Sequence, residues 1–488
     1  MNKQEYLDKY HTSEQQAVRQ NVANDPYRLQ FHIQPESGWM NDPNGLSVLN
    51  GTIHWFYQYN PFNPKGGAIF WGHVSTKDYV NFTHHAPALY NDHPADRDGV
   101  YSGSAYIENG TAYYFYTGNV KHRDQEYDYI TAGREQNTIL VTSKDGVTFS
   151  EKEVVLCNAD YPADMSNHVR DPKVWKQDGR YYMVLGARTL ESKGMVLIYV
   201  SDDLHNWSYH MRLDVNGTCG YMMECPDLFN LDGQWFLISC PQGIEAKGYE
   251  YNNVYQCGYH TLDIDLQAKT YRFTSDFIEI DRGFDFYAVQ TYVDDSNRRI
   301  LVGWFGLPDI TYTNPTLAQG WQHCLSVPRE LKNVNGRLHL CPINELQALR
   351  QTPATQAVVT DEQLRAGINT KVYELDVVPA AGDITLALRR DVTLSYNAQT
   401  QVATLTMGKS GYGRDVRHVK LAQALSRIHV YSDTSTLEIF LNDGAEVFNT
   451  RVYAEPADEV VSLVQGSTTK AELYALGSLK VTNLAGQA

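Results

Sequence analysis

The chain has 488 residues, of which 42% are hydrophobic and 20% are charged, and its formal net charge at pH 7 is −16. This length exceeds that of one typical domain and supplies a large buried core. The acidic balance, without any Lys/Arg-rich run, argues against nucleic acid or an anionic membrane as a partner.

The beginning of the chain and its cysteines indicate where the protein works. Residues 1–25 are polar and contain no apolar segment typical of a secretory signal, and nowhere do 18 apolar residues follow one another. The seven cysteines are widely spaced and form no C-x-x-C pair. This spacing predicts free thiols rather than disulfides or a zinc site. We therefore expect a cytoplasmic protein.

Residues 1–24 are predicted to form a polar helical arm, and a repeated hairpin pattern follows. In each copy a turn dipeptide precedes an apolar strand, as in "NGTIHWFYQYN" from Asn50, "NGTAYYFYTG" from Asn109, "DGRYYMVLGA" from Asp178 and "DGQWFLISC" from Asp232. Asn-Gly or Asp-Gly between two strands is a strong hairpin signal. A weaker fifth copy, "SNRRILVGWF", begins at Ser296.

A second hairpin signal follows several of these copies. It combines a short apolar strand, a polar turn with Asp, and an aromatic residue, as in "VSTKDYVNF" from Val74 and "VTSKDGVTF" from Val141. Two hairpins supply four strands per unit. Five such units predict a five-bladed β-propeller over residues 25–342.

The composition changes near residue 345, after the last Trp and the last Cys. Residues 343–352 are predicted to form a linker. From residue 353 to 488, short alternating strands separated by polar turns are typical of a β-sandwich. The predicted fold class is therefore all-β, a five-bladed propeller followed by a C-terminal β-sandwich. The segment "LEIFLND" (437–443) is a candidate surface for a homodimer.

Polar residues recur just before the first strand of each hairpin. They are Asp42, Ser102, Asp171, Glu224 and, in the degenerate fifth copy, Asp285. The innermost strands of a propeller all run in one direction, so these positions are expected to meet, with Arg170, at one end of the central channel. Singly, each carboxylate could cap a turn or pair with a neighbouring arginine. Their shared position in the repeat favours a catalytic site.

Three motifs occur in a fixed order: "WMNDPNG" (39–45), "RDP" (170–172) and "EC" (224–225), together with "FYQYNPF", "YSGSA" and "GWQHCLSVPREL". With this ordered set the chain resembles glycoside hydrolase family 32, the family of invertases, fructanases and sucrose-6-phosphate hydrolases. The resemblance implies Asp42 as the nucleophile, Glu224 as the general acid/base and Asp171 as the stabiliser of the transition state.

The resemblance also implies a sugar pocket. Its expected residues are Trp39, Met40, Asn41, Gln58, Trp71, Tyr101, Ser102, Arg170, Asp285 and Trp304. One position departs from the family pattern, because Gly66 stands where many relatives carry an aromatic residue. No metal ligands with H-x-x-x-H spacing lie near the carboxylates, so neither a metal nor another cofactor is expected.

The sequence therefore predicts a retaining β-fructofuranosidase. In such an enzyme one carboxyl protonates the leaving oxygen while another, ionised, attacks the anomeric carbon. We expect the Asn41 amide and backbone N–H groups to keep Asp42 ionised. We also expect the Asn-Asp-Pro-Asn-Gly stretch to turn the chain sharply into the first inner strand.

The exact substrate stays open between sucrose, sucrose 6-phosphate and short fructo-oligosaccharides. Candidates for binding a phosphate are Lys65, His73, Lys247 and His323. The alternatives are a fructo-oligosaccharide hydrolase or transfructosylase, an arabinanase or xylosidase with five blades, and a non-catalytic carbohydrate-binding propeller.

Overall fold

Two helices precede the first strand: α1 (Lys3–Tyr10) and α2 (Ser13–Ala23). The computed structural model describes residues 1–67, 70–124, 126, 128, 130–215 and 219–487. Helix α1 begins with a capping box in which Asn2 and Glu5 exchange side-chain-to-backbone hydrogen bonds. Its buried Tyr6 packs against Phe70 and Tyr90, so this polar arm is anchored by aromatic contacts.

The described strands of the first domain form five antiparallel sheets. Blade 1 contains β1 (Gly38–Leu49), β2 (Thr52–Asn60), β3 (Phe70–Thr76) and β4 (Asn81–Leu89). Blade 2 contains β5 (Val100–Glu108), β6 (Thr111–Lys121), β7 (Arg134–Ser143) and β8 (Glu153–Leu156). Blade 3 contains β9 (Met165–Gln177), β10 (Arg180–Thr189), β11 (Gly194–Ser201) and β12 (Ser208–Leu213).

Of the two remaining blades, blade 4 includes a fifth, short strand. Blade 4 contains β13 (Met222–Leu231), β14 (Gln234–Gln242), β15 (Gly258–Asp265), β16 (Thr270–Phe273) and β17 (Ile278–Glu279). Blade 5 contains β18 (Tyr287–Val293), β19 (Arg299–Trp304), β21 (Arg329–Val334) and β22 (Arg337–Pro342). The short strand β20 (Trp321–Gln322) pairs in parallel with β1.

The inner strands β1, β5, β9, β13 and β18 contact one another in that order, and β18 returns to β1. This contact order closes the ring, so the predicted five-bladed propeller is confirmed. A cavity of about 840 Å³ at one end of the channel is lined by residues two or more positions beyond the predicted catalytic ones, among them Val48, Ile107 and Lys176. The catalytic positions therefore lie towards the opposite end.

The hairpin signals predicted the turns within the blades. In the β1–β2 connection Asn50 and Gly51 have φ values of 52° and 73°, and the Asn-Gly or Asp-Gly pairs of blades 2, 3 and 4 likewise have positive φ at both residues. This backbone matches a type I′ turn, which follows the twist of paired strands. In the second hairpins Asp78, Asp145 and Asp203 accept hydrogen bonds from backbone N–H groups two and three residues later.

The second domain is built from two antiparallel sheets and two short helices. The helices are α3 (Ala354–Ala357) and α4 (Asp361–Ala366). The strands are β23 (Ile368–Asn369), β24 (Tyr373–Pro379), β25 (Ile384–Arg389), β26 (Val392–Asn397), β27 (Val402–Thr406), β28 (Val416–Lys420), β29 (Ile428–Asp433), β30 (Thr436–Leu441), β31 (Glu446–Arg451), β32 (Val460–Gln465) and β33 (Thr468–Ala475). The sheet orders are β23-β32-β25-β26-β27-β28 and β31-β30-β29-β24-β33. Their facing residues share one apolar core, so the predicted sandwich is confirmed.

The segment proposed as a dimer surface instead lies against the propeller. All six residues of β30 are buried, and Phe440 joins a core that includes Trp304 and Phe286. Glu438 binds His32 and Arg329, and Asp433 binds the other nitrogen of His32. We call His32, Arg329, Asp433 and Glu438 the junction cluster. The surface formed by β30 is therefore an interface between the two domains.

The last described strand returns to the first blade. Strand β34 (Lys480–Asn483) pairs in parallel with β4, from Lys480 beside Asn81 to Asn483 beside His84. Blade 1 thus gains a fifth strand at its outer edge. Among the described helices, none is long and apolar enough to span a membrane.

Candidate active site

Each of the five inner strands carries a β-bulge near the position that the sequence singled out. The pairing with the second strand shifts between Met40 and Pro43, Val100 and Gly103, Arg170 and Lys173, Glu224 and Asp227, and Tyr287 and Gln290. Asp171 and Cys225 adopt φ values of 63° and 48° within these bulges. Bulges re-aim side chains beside active sites. The bulges lie at equivalent positions of the five inner strands, and they direct side chains at these positions towards one end of the central channel.

The predicted sharp turn at Asn41–Gly45 was wrong. These residues lie inside β1, where the pairing shifts a second time between Asn44 and Ser47. Proline has no backbone N–H to donate to a neighbouring strand. Pro43 is tolerated in β1 because it lies at a bulge, where the regular hydrogen bonding is interrupted. Gly45 has φ +54°, and a Cβ there would come within 2.8 Å of the Phe56 ring. The bulged strand itself therefore positions Asp42.

Asp42 is held by two side chains. The Ser102 hydroxyl donates to its Oδ2 at 2.5 Å, and the Asn41 amide donates to its Oδ1 at 2.9 Å. The Trp39 indole N–H in turn donates to Asn41 Oδ1 at 2.8 Å, which fixes the orientation of that amide. The predicted contact between Asn41 and Asp42 is present.

Asp171 in blade 3 and Glu224 in blade 4 are linked by hydrogen bonds between these two neighbouring blades. The backbone N–H of Cys225 donates to Asp171 Oδ2 at 2.9 Å, so the acid of one blade is held by the strand of the next. Arg170 donates to Glu224 Oε1 from Nε at 3.0 Å and from Nη2 at 2.6 Å. Arg170 therefore forms an ion pair with Glu224. We call Asp42, Asp171 and Glu224, the three residues predicted to be catalytic, the catalytic cluster.

Burial changes the proton affinity of this cluster. It raises the pKa of Asp42 to about 7, although the hydrogen bond from Ser102 lowers that pKa, and the charges of Asp171 and Glu224 raise it further. Burial also raises the pKa of Asp171 to about 6, against the attraction of Arg170 and with the repulsion of Glu224. Hydrogen bonds were expected to keep Asp42 ionised. They do not keep its pKa low, because desolvation raises that pKa more than the hydrogen bonds lower it.

Aromatic side chains form one wall of the site. Trp39 is partly exposed and meets Trp304 edge to face, with ring centroids 5.8 Å apart. His323 packs behind both rings, at 4.4 Å from Trp39 and 5.1 Å from Trp304. The position of a Cβ on Gly66 lies 3.6 Å from the Trp39 ring. The missing aromatic residue at position 66 therefore leaves that side of Trp39 uncovered.

Other expected pocket residues are more deeply buried. Gln58 has a buried amide nitrogen without a described hydrogen-bond partner, so it can donate to a hydroxyl group. Trp71 is fully buried, and its indole N–H donates to the Tyr101 carbonyl at 3.0 Å. Met40 is also fully buried in the core. Trp71 and Met40 support the wall, whereas Tyr101 is partly exposed and forms part of it.

Asp285 requires a correction. It was expected to join the other carboxylates, but both of its oxygens bind the Arg414 guanidinium at 2.7 Å, and Oδ2 also accepts the backbone N–H of Arg451. Asp285 therefore links the propeller to the sandwich. Two residues later, Tyr287 donates to Glu224 Oε2 at 2.7 Å. Blade 5 thus contributes a tyrosine to the catalytic site.

Several contacts of the site come from residues that the sequence argument missed. Gln242 on β14 donates to Glu224 Oε2 at 2.8 Å, and Gln136 on β7 accepts from Arg170 at 3.2 Å. Thr117 on β6 accepts the backbone N–H of Asp171. These residues lie on the second and third strands of their blades, whereas the repeated polar positions in the sequence all belong to the first strands. Tyr287 lies two residues after Asp285, the residue that the sequence singled out in blade 5.

Within the described part of the chain, no group of three or more His, Cys, Asp or Glu side chains is arranged to hold a metal ion. The charged and amide groups described above can form hydrogen bonds with a polyhydroxylated ring and exchange protons with it.

Comparison with known families accounts for this arrangement. The model of the glycosyl hydrolases family 32 N-terminal domain matches residues 32–342, and that of the family 32 C-terminal domain matches residues 345–483. The chain belongs to glycoside hydrolase family 32. It is a glycoside hydrolase of the fructofuranoside-cleaving type, as the resemblance predicted.

Relatives of similar length support this assignment. Sucrose-6-phosphate hydrolase of Bacillus subtilis is 37% identical over 93% of this chain and 94% of its own. The enzyme of the same name from Staphylococcus xylosus is 36% identical over 97% and 96%. The structure of sucrose-6-phosphate hydrolase from Lactobacillus gasseri superposes with a TM-score of 0.87 at 30% identity, covering 95% of this chain and 96% of that one.

Proposed function

We propose that the protein is a retaining β-fructofuranosidase that hydrolyses sucrose 6-phosphate into glucose 6-phosphate and fructose. The observation that carries the proposal is the catalytic cluster: three carboxylates of blades 1, 3 and 4, directed by strand bulges into one channel mouth. We infer the phosphorylated substrate from the relatives, which are named sucrose-6-phosphate hydrolases.

Asp42 is assigned the attack on the anomeric carbon. Its carboxylate forms a bond to C2 of the fructosyl unit as the bond from C2 to the glucosyl oxygen breaks. The electron pair of the broken bond goes to the glucosyl oxygen, which takes a proton from Glu224. Ser102 and Asn41 hold the two Asp42 oxygens, so one orientation of the nucleophile is selected.

Glu224 then reverses its role. It removes a proton from water, whose oxygen attacks C2, and the bond between C2 and Asp42 breaks. Asp171 stabilises the positive charge that develops on the fructosyl ring in both steps. In the structure Glu224 accepts hydrogen bonds from Arg170, Gln242 and Tyr287. We propose that substrate binding moves Arg170 to the fructosyl hydroxyls and thereby frees Glu224 Oε1.

Asp42 and Asp171 hold a proton more tightly than free carboxyls do. Burial raises the pKa of Asp42 to about 7 and that of Asp171 to about 6, so these two carboxyls retain part of a proton near neutral pH. The assigned mechanism uses Asp42 in its ionised form and Glu224 as the proton donor.

The reaction is tested by kinetics on sucrose, sucrose 6-phosphate and kestose, with an arabinan and a xyloside as controls. We expect fructose release from all three fructosides, with the highest kcat/KM on sucrose 6-phosphate, and no release of sugar from the controls. With methanol present, a retaining enzyme forms methyl β-D-fructofuranoside. Formation of the α-anomer would exclude Asp42 as a nucleophile.

We also propose a cytoplasmic location. A sugar phosphate carries a charge that does not cross a lipid bilayer, so its hydrolase acts where the phosphate ester is made or delivered. The seven cysteines are free thiols, which is typical of a reducing compartment. A homodimer stays a prediction, and its surface must differ from β30.

A further inference from the structure

An arginine without an acidic partner lies at the rim of the active site. Arg188 is near the end of β10, and its guanidinium is only partly exposed. Its Nη2 donates to Ser192 Oγ at 2.9 Å, while its Nε is buried and has no described hydrogen-bond partner. No ion pair with Arg188 is found among the described residues. A half-desolvated guanidinium with free donors favours an anionic ligand.

Tyr221 places this arginine on the Glu224 side of the site. The Arg188 guanidinium stacks on the Tyr221 ring, 4.6 Å from its centroid. Tyr221 lies three residues before Glu224, immediately before β13. The same ring covers Gly243, where a Cβ would come within 2.5 Å of it. Gly243 follows Gln242, which donates to Glu224, so two chain segments connect the ring to the acid/base residue.

The strand geometry agrees with this placement. Gly186 stands two residues before Arg188 on β10, so both residues point to the same face of the blade. A Cβ on Gly186 would come within 2.0 Å of the Met223 carbonyl oxygen, which shows that this face is packed against the inner strand that carries Glu224. Arg188 therefore projects towards blade 4, where it meets Tyr221, three residues before Glu224.

The wall next to Arg188 is aromatic and continues to the acid/base residue. The Tyr221 and Tyr255 hydroxyls are 3.4 Å apart, and the Tyr255 ring lies 6.1 Å from that of Tyr287, which binds Glu224. The only carboxylate described at this wall, Asp309, accepts from Tyr255 at 2.7 Å and is separated from Arg188 by the two tyrosines. Such a wall suits the apolar face of a glucosyl ring.

We propose that Arg188 binds the phosphate of the glucosyl unit, with Tyr221 and Tyr255 contacting the sugar ring. The inference rests on the proposed function, in which Glu224 protonates the glucosyl oxygen and the glucosyl unit therefore occupies the Glu224 side. The 6-phosphate is at the far end of that unit from the bond that breaks. A planar guanidinium offers parallel donors that match two phosphate oxygens.

The residues that the sequence offered for this task fit less well. Burial lowers the pKa of His73 and of His323 well below the usual range, so both imidazoles are neutral. His73 also packs between other rings inside blade 1. Lys65 and Lys247 are exposed, where water already solvates their charge. None of the four combines a retained charge with partial burial beside Glu224.

The experiment compares Arg188→Gln with the wild-type protein on sucrose and on sucrose 6-phosphate. We expect the ratio of kcat/KM for sucrose 6-phosphate to kcat/KM for sucrose to fall about 10- to 100-fold, the range of a charged hydrogen-bonding pair. The loss should appear mainly in KM for the phosphorylated substrate. Glucose 6-phosphate should likewise inhibit sucrose hydrolysis in the wild type and much less in Arg188→Gln.

A matched control is Arg212→Gln, which removes an arginine of the same blade that pairs with Asp164 at its outer strand. This variant should keep the wild-type substrate ratio. Arg188→Lys, which keeps the charge but loses the planar donors, should have an intermediate ratio. Because each ratio is taken within one protein preparation, partial unfolding of a variant cancels.

Three outcomes would contradict the inference. An unchanged ratio in Arg188→Gln would remove the phosphate from Arg188 and leave the proposed function intact. A wild-type enzyme without preference for the phosphorylated substrate would also overturn it. A wild-type protein that releases fructose from neither substrate would overturn the proposed function itself.

Discussion

The junction cluster is fully buried and the catalytic cluster is largely buried, yet the pKa shifts of Asp42 and Asp171 are opposite in sign to those of Asp433 and Glu438. Burial raises the pKa of Asp42 and Asp171 above the usual range. At the junction, burial also opposes ionisation, but His32 lowers the pKa of Asp433 and the Arg329 charge lowers that of Glu438. The sign is therefore decided by the partners that each carboxyl meets.

The number of cations explains the contrast. The junction cluster has two carboxylates and two basic groups, and both ring nitrogens of His32 face carboxylate oxygens at 2.8 Å. An imidazole that donates from both nitrogens carries a charge. Although burial disfavours that charge, the two carboxylates raise the pKa of His32. The catalytic cluster has three carboxylates and one cation, Arg170. Because this single cation does not balance their charge, the cluster can take up and release a proton.

The largest expected effect follows from changing Asp42 to Asn. The amide preserves the shape but removes the nucleophile, so kcat/KM should fall by about 10⁴- to 10⁶-fold. The measurement is fructose release from sucrose and from sucrose 6-phosphate. Asp232→Asn is the control, since Asp232 lies in an exposed hairpin turn whose positive φ an asparagine accepts. Near-normal turnover in Asp42→Asn would remove the residue from the mechanism.

A loss of stability is expected when the junction cluster is broken. Glu438→Gln removes the negative charge that Arg329 and His32 share, and both cations remain buried. An uncompensated buried charge costs about 3 to 5 kcal/mol, so the melting temperature should fall markedly.

The control for that variant is Asp263→Asn. Asp263 pairs with Arg272 on the surface, where the two side chains are 63% and 76% exposed. An exposed pair of this kind contributes about 0 to 1 kcal/mol. Equal melting temperatures for Glu438→Gln and Asp263→Asn would show that burial does not distinguish the two pairs.

A smaller effect, of opposite sign, is expected for the stability of Asp42→Asn at different pH values. The folded-state pKa of Asp42, about 7, lies above its unfolded value of about 4. The contribution of such a group to stability is fully present below pH 4 and is lost as the pH rises through 7. Asparagine does not ionise, so the variant should melt a few degrees above the wild type at pH 8.

The pH dependence itself is the test. The difference in melting temperature between Asp42→Asn and the wild type should be larger at pH 8 than at pH 5. A difference that is constant across this range would mean that ionisation of Asp42 does not destabilise the folded protein. Active sites commonly carry such a cost, because their charges are arranged for the substrate.

The sequence was sufficient for features that are encoded locally. The Asn-Gly and Asp-Gly pairs predicted the turns at Asn50, Asn109, Asp178 and Asp232, because the backbone conformation of a tight hairpin depends on its own residues. The recurrence of these turns predicted the blades. The common position of Asp42, Asp171 and Glu224 in the repeat, together with the family motifs, led to the catalytic cluster.

Features that depend on a distant part of the chain were not predictable in this way. The neighbours of Asp285 suggested another channel carboxylate, but its partner Arg414 is 129 residues away in the second domain. The bulge at Asp42 looked like a turn because Asn, Pro and Gly suit both structures. Arg188 showed no local signal, since its importance lies in a missing acidic partner and in the ring of Tyr221 on another blade.

The pairing of β34 with β4 has a consequence for protein synthesis. About 400 residues separate the two strands, so a ribosome has translated nearly the whole chain before the outer edge of blade 1 can be covered. Until then, β4 offers unpaired backbone groups to any neighbouring nascent chain. The blade that carries Asp42 is thus the first of the five blades to be translated and the last to receive its outermost strand, which follows the sandwich domain in the chain.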